Sequence, residues 1–232
     1  MNKSKRFFEL DLLRGGAVIL MVLFHIGYDL AHFGYTSYKT TVDIEWILYR
    51  GFILSMFLLA VGMSAYLAYS DGIRYSKLIK TLAKLTLVSI LISLGSYLVF
   101  PQNWIYFGVI HFIVIALVSS LVFVQVPKFS LVLGVAIVGS YLLGFSPFDA
   151  IFAYSVDHWN IPGYTVDVVS FTPWFGVVLI GIFVMNKKIF GLKIQQNKIT
   201  KSVAFLGQHS LIIYLVHQPL FFGLFYVTTL LR

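Results

Sequence analysis

The sequence predicts an all-α, polytopic integral membrane bundle of about seven transmembrane helices with its N-terminus in the cytoplasm. Three observations predict it. Of the 232 residues, 59% are hydrophobic and only 11% are charged, under half the share of about 25% that the water-facing surface of a soluble domain requires. The apolar residues are gathered in runs of about 20, the length that crosses roughly 30 Å of hydrocarbon at 1.5 Å per residue. The basic residues, finally, fall almost wholly in alternate connections between those runs. Lipid must therefore cover most of the surface, and residues 1–232 read as a single transmembrane domain with no separate soluble part.

The first run, 10–33, follows the basic residues Lys3, Lys5 and Arg6. It resembles a cleavable signal only superficially: it is too long, it contains Arg14, His25 and Asp29, and no small-residue cleavage site closes it. The second run is 46–70. The third, 78–100, ends at Pro101, and the fourth and fifth, 104–126 and 129–145, are separated by Pro127. The sixth, 166–185, is broken at Pro173. Its apolar part from Trp174 is too short to cross alone, so it must recruit the stretch before Pro173 or begin as a re-entrant segment. The seventh is 205–231. The one long loop, from Ser146 to about Val169, carries Asp149, Asp157, His158, Trp159 and Asp167, and long ordered loops in compact proteins are often functional.

Sidedness follows from Lys and Arg. Lys3, Lys5, Arg6, Arg74, Lys77, Lys80, Lys84, Lys128, Lys187, Lys188, Lys193, Lys198 and Lys201 lie in one set of loops, and Lys39, Arg50 and Arg232 in the other. Thirteen against three places the N-terminus inside and the C-terminus outside. The net charge of +8 is thus a topology signal and does not point to nucleic acid. The Lys187 to Lys201 loop is in addition suited to anionic lipid or a phosphorylated cofactor. With no cysteine, disulfides, thiolate nucleophiles and cysteine metal sites are excluded. Trp46, Trp104 and Trp159 read as residues of the interfacial aromatic belt.

A charge at membrane depth costs at least about 2.5 kcal/mol, so each such residue should face the protein interior and is a functional candidate. Arg14, His25, Asp29 and His32 are separated by near-whole numbers of helical turns and share one stripe of the first helix. Arg14 lies about one turn inside the cytoplasmic face. Its fork suits a phosphate arriving from the cytosol, and it suits equally an ion pair with Glu9 or Asp11. His25, roughly 16 Å deeper, suits a general base or an acyl-carrying nucleophile, with Asp29 orienting the ring. His111 in the fourth run, Tyr214 and His217 in the seventh, and Asp167 and Trp174 flanking the broken sixth can line a pocket around it. His158 and His209 have weaker claims. Two other classes use the same residues: a proton-coupled carrier, with the stripe as a relay, and a seven-span metal hydrolase, with His25, Asp29 and His32 as ligands. The second lacks an HxxxH on another helix, and no metal is expected.

The segment Arg6-Phe-Phe-Glu-Leu-Asp-Leu-Leu-Arg14-Gly, followed by Met21-Val-Leu-Phe-His25, resembles the opening of the heparan-α-glucosaminide N-acetyltransferase catalytic-domain family. Tyr106-Phe-Gly-Val-Ile-His111, then Asp167 with Pro173-Trp174-Phe-Gly and Gly181, then Gly207-Gln-His-Ser-Leu-Ile-Ile-Tyr214-Leu-Val-His217-Gln-Pro219 are similar to later blocks of that family. The Arg-x10-His spacing is also similar to that of membrane O-acyltransferases of bacterial surface polysaccharides. The resemblance implies a membrane acyltransferase. Its donor would be acetyl-CoA or another acyl-CoA, bound from the cytoplasm by Arg14 with Trp174 and His111. Its acceptor would be a sugar or glycan on the outer side, held near Asp167, His217 and Tyr214. The animal enzymes carry Asn at the position of His25 and a catalytic His further on, which makes His32 the rival. The chain also lacks their luminal domain and has Val168-Val-Ser-Phe-Thr172 before the Pro-Trp pair, so acceptor choice does not transfer. The expected partners are the lipid bilayer, acyl-CoA and a carbohydrate acceptor, with a homodimer compatible with the chain. The expected location is a prokaryotic plasma membrane.

Overall fold

The computed structural model describes residues 7–147, 151, 153, 154, 156, 158, 161–163, 165, 167–189 and 194–231. Lys3, Lys5, Arg6, Asp149, Asp157, Trp159, Lys193 and Arg232 lie outside the described residues. Among those described there are eight helices and no strand: α1 (Phe8–His32), α2 (Ile44–Tyr69), α3 (Tyr75–Val99), α4 (Val109–Ser120), α5 (Pro127–Leu142), α6 (Trp174–Asn186), α7 (Lys198–Gln208) and α8 (Ser210–Leu230). Helices α1, α2, α3 and α8 are long and apolar enough to cross a membrane, whereas α4, α5 and α6 are shorter apolar helices.

Local chemistry sets the ends. Proline opens α5 at its first turn, where a missing N–H costs nothing. Helices α1 and α5 close in the same way, on a glycine in the left-handed region: Gly34 at φ 74° and Gly144 at φ 79°. Gly34 N–H donates to Ala31 and Tyr35 N–H to Leu30, at 3.1 and 2.8 Å. Gly144 and Phe145 repeat the pattern on Tyr141 and Ser140 at 2.9 and 2.8 Å. Both are Schellman closures, which satisfy carbonyls that a helix end leaves open.

Three of the expected runs differ from the helices observed. The fourth contracts to the 12 residues of α4: at its start residues 105–108 are held out of helix by the hydrogen bonds described below, and at its end residues 121–125 form turns, with Phe123 N–H donating to Ser120 at 2.9 Å and Val126 N–H to Phe123 at 3.1 Å. The sixth begins only at Trp174, and its 13 residues span about 20 Å. The seventh divides at His209, which has φ −106° and ψ 14°. Its Nδ1–H donates to the Phe205 carbonyl at 2.9 Å. The helix before the break starts at Lys198, well upstream of the apolar run, because Asn197 caps it: Thr200 N–H donates to Asn197 Oδ1 at 2.9 Å and Asn197 N–H to Thr200 Oγ1 at 3.0 Å. That reciprocal cap satisfies two end donors at once.

The first half of α2 packs with α1, α7 and α8 in one compact unit, and the second half of α2 with α3 to α6 in another. In the first unit Met21, Phe24 and Ile53 form a core, joined by Trp46, Tyr49 and Tyr214. Trp46 lies over Gly27 and edge-on to Phe24, ring centroids 5.4 Å apart. It therefore contributes to internal packing besides any belt role. In the second unit small residues let backbones meet, the usual device where lipid removes the hydrophobic drive between helices. Gly134 of α5 and Gly176 of α6 are so close that a Cβ on either would sit 2.7 Å from the other's carbonyl oxygen. Buried Ser130 locks the same crossing by donating to the Leu179 carbonyl at 2.7 Å.

Candidate active site

In the first unit, α1 and α8 carry four polar side chains against each other. His25 is on α1, and its ring meets His217 of α8 with centroids 4.7 Å apart and planes inclined at 61°. His217 is buried. Its Nδ1 lies 3.0 Å from the Ile213 carbonyl and 2.8 Å from that of Tyr214. Carbonyls only accept, so Nδ1 bears the proton and Nε2 holds the lone pair. His25 Nδ1 is buried with no hydrogen-bond partner among the described residues. One turn along α1, Asp29 is 0% exposed, and its Oδ1 accepts from Gln218 Nε2 at 2.9 Å. The expected orienting bond from Asp29 to His25 is not among those formed; the carboxylate is turned to α8. His32 departs further from the stripe. It is exposed, stacked on Tyr28 at 6.1 Å and tilted against Phe222 at 5.2 Å. Tyr214 packs beside Met21 and Phe24, with its ring 5.9 Å from His217.

At the start of α1, Arg14 pairs with Asp11 at 3.7 Å, its side chain 30% exposed. Asp11 has a second partner, Gln208 of α7, whose Nε2 donates to Oδ2 at 3.0 Å. The ion pair is long and partly wet, a type that contributes about 0–1 kcal/mol. Exposed Lys198 and Lys201 of α7 add positive charge in the same unit.

In the second unit, His111 and Asp167 organise the start of α4. Gly108 N–H donates to His111 Nδ1 at 3.2 Å, so Nε2 carries the proton and donates to Ser93 Oγ at 3.0 Å. The Ser93 hydroxyl in turn donates to the Ile105 carbonyl at 2.7 Å. Asp167 Oδ2 accepts from Val109 N–H at 3.3 Å, a carboxylate on the positive end of a helix. Asp167→Ala should therefore cost about 1 kcal/mol, the usual cost of a lost cap. A fall of the thermal midpoint of that size is the expected result. Trp174 is the half-buried first residue of α6.

His25, Asp29 and His32 do not form a metal cage. Among the described residues no three His, Asp or Glu side chains lie together as a ligand set. Residues missing from the sequence reading are Gln208 and Gln218. Both are uncharged and stand beside more conspicuous histidines. The available signal was spacing, since Gln218 sits one turn beyond Tyr214 on a helix at membrane depth.

Searches of curated proteins and of solved structures found no match. The model of one family, described as heparan-alpha-glucosaminide N-acetyltransferase, catalytic, matches residues 6–219. That span contains α1 through to the His217–Pro219 turn of α8, and with it each polar side chain just described. The chain belongs to the heparan-α-glucosaminide N-acetyltransferase catalytic family, a family of membrane acetyltransferases.

Proposed function

We propose that the protein transfers an acetyl or other acyl group from cytoplasmic acyl-CoA to a sugar or glycan acceptor on the outer side of a prokaryotic plasma membrane. The observation that carries the reading is the pairing on α1 of a half-buried histidine whose Nδ1 is buried and unpartnered among the described residues and, eleven residues nearer the N-terminus, a partly exposed arginine. Eleven residues span about 16 Å along the helix, a distance that an extended pantetheine arm bridges. The thirteen-to-three charge asymmetry supports the sidedness.

In this reading Arg14, helped by Lys198 and Lys201, holds the donor's phosphates. His25 takes a proton from the acceptor's hydroxyl or amine as that group attacks the thioester carbonyl. The carbon–sulfur bond then breaks, and His25 returns the proton to the departing thiolate, leaving acylated acceptor and free CoA. His217 and Tyr214 flank the reacting groups. Trp174, His111 and Asp167 serve by shaping the segments on either side of α4 and α6.

Donor binding can be read without the acceptor. Millimolar CoA should raise the thermal midpoint of the detergent-solubilised protein, since a ligand at a hundred times its Kd adds about 2.7 kcal/mol to the folded state. Arg14→Ala should remove most of the shift and Arg14→Lys should retain part. An unchanged midpoint for the wild-type chain at millimolar CoA, together with solute flux in liposomes, would replace the transferase with a carrier.

A further inference from the structure

The α1–α8 contact leaves buried acceptors unanswered among the described residues. Asp29 is fully buried, yet only Oδ1 is engaged, by Gln218. Asp29 Oδ2 and Gln218 Oε1 are both buried without a hydrogen-bond partner among the described residues, as is His25 Nδ1 one turn away. The described ion pair of this chain uses Asp11 and Arg14, so no described cation answers Asp29. Leaving a buried acceptor unsatisfied costs about 1–3 kcal/mol, more where it is charged, and two such atoms on touching side chains point to a partner from outside the chain. Because Gln218 must turn Nε2 to the carboxylate, its Oε1 is fixed as an acceptor. The partner must then supply N–H or O–H donors.

Resting on the transferase reading above, we infer that Asp29 and Gln218 form an acceptor-positioning subsite. It grips N–H or O–H groups adjacent to the acceptor's reacting atom and so holds that atom against His25. Gln218 plays a double part: its amide nitrogen aims the carboxylate and its amide oxygen takes a second donor. Asp29 is then a binding residue for the acceptor and not the orienter of His25. Such a site rejects analogues lacking the donors, because its polar groups are left unpaired when they bind.

The test uses the full-length protein in liposomes with acetyl-CoA and two pairs of acceptors that share a nucleophile: glucosamine with cyclohexylamine, and glucose with cyclohexanol. The wild type should prefer the hydroxyl-bearing member of at least one pair by tenfold or more in kcat/KM. Asp29→Asn and Gln218→Met should raise KM for that acceptor about ten- to a hundredfold. They should change kcat less than threefold and leave the CoA-induced thermal shift intact. Gln218→Met preserves length and apolar packing, and carries the test alone if Asp29→Asn is not recovered folded. Unchanged KM, or a loss of kcat equal for all four acceptors, overturns the subsite. If the wild type transfers to none of them, the transferase reading fails separately. Calorimetry of glucosamine against cyclohexylamine then decides the subsite: a preference abolished by Gln218→Met sustains it, and no preference overturns it.

Discussion

His25→Ala is expected to lower the rate of acyl transfer by about 10² to 10⁴-fold, the usual loss when a positioned general base is removed, with normal abundance and an unchanged CoA-induced thermal shift. His32→Ala should stay within threefold of wild type. The two residues are two turns apart on α1 and indistinguishable by periodicity, and the structure separates them. His25 is turned to His217 and keeps a buried, unpartnered nitrogen. His32 is exposed and packed on Tyr28 and Phe222, a setting for an anchor at the end of a helix. His217→Ala should fall between them, since its Nδ1 is committed to backbone carbonyls and its ring supports His25 by contact. Rates measured with saturating acetyl-CoA and the favoured acceptor decide the order. Near-normal turnover in His25→Ala would move the base to His32.

Helical class and the first three runs were legible because hydrophobicity along a membrane chain has few rival explanations: runs 10–33, 46–70 and 78–100 lie within three residues of α1, α2 and α3. Elements decided by single polar contacts were not. The late start of α4 depends on Ser93 and Asp167, which lie 16 and 58 residues from Val109, and nothing local announces either. Helix α7 begins in a polar stretch that a search for apolar runs passes over, although its Asn197–Thr200 cap is visible in the sequence. At the site, the co-location of His25, Asp29, Tyr214 and His217 followed from cost: ionisable and polar groups at depth have to face one another. Their pairing did not follow. Periodicity puts Asp29 one turn from His25 and suggests a bond between them, but a helix places i and i+4 side by side without stating which of them turns to a neighbouring helix. Here both turn to α8, His25 to His217 and Asp29 to Gln218.

Gly15→Leu and Gly207→Leu are expected to have the largest effect on folding. Helices α1 and α7 touch backbone to backbone at these residues. A Cβ on Gly15 would fall on the Val203 carbonyl, and one on Gly207 on the Asp11 carbonyl, with Gly15 N 2.8 Å away. Overpacking a core of side chains typically costs about 1–3 kcal/mol because rotamers can shift; here the obstacles are main-chain atoms, so the helices themselves must part. Separation would also break the Gln208–Asp11 hydrogen bond and leave Arg14 bound more firmly to its carboxylate. Folded yield should therefore collapse, and any protein recovered should bind CoA poorly. Gly223→Ala on α8 is the matched control, since a Cβ there meets nothing within 4 Å and alanine favours helix. Its yield and thermal midpoint should equal or exceed wild type. Monodisperse elution after detergent extraction, followed by the thermal midpoint, reads all three variants. A Gly15→Leu protein as stable as Gly223→Ala would show that α1 and α7 do not meet at these glycines, and with that contact would go the arrangement that ties Arg14 and Asp11 to α7.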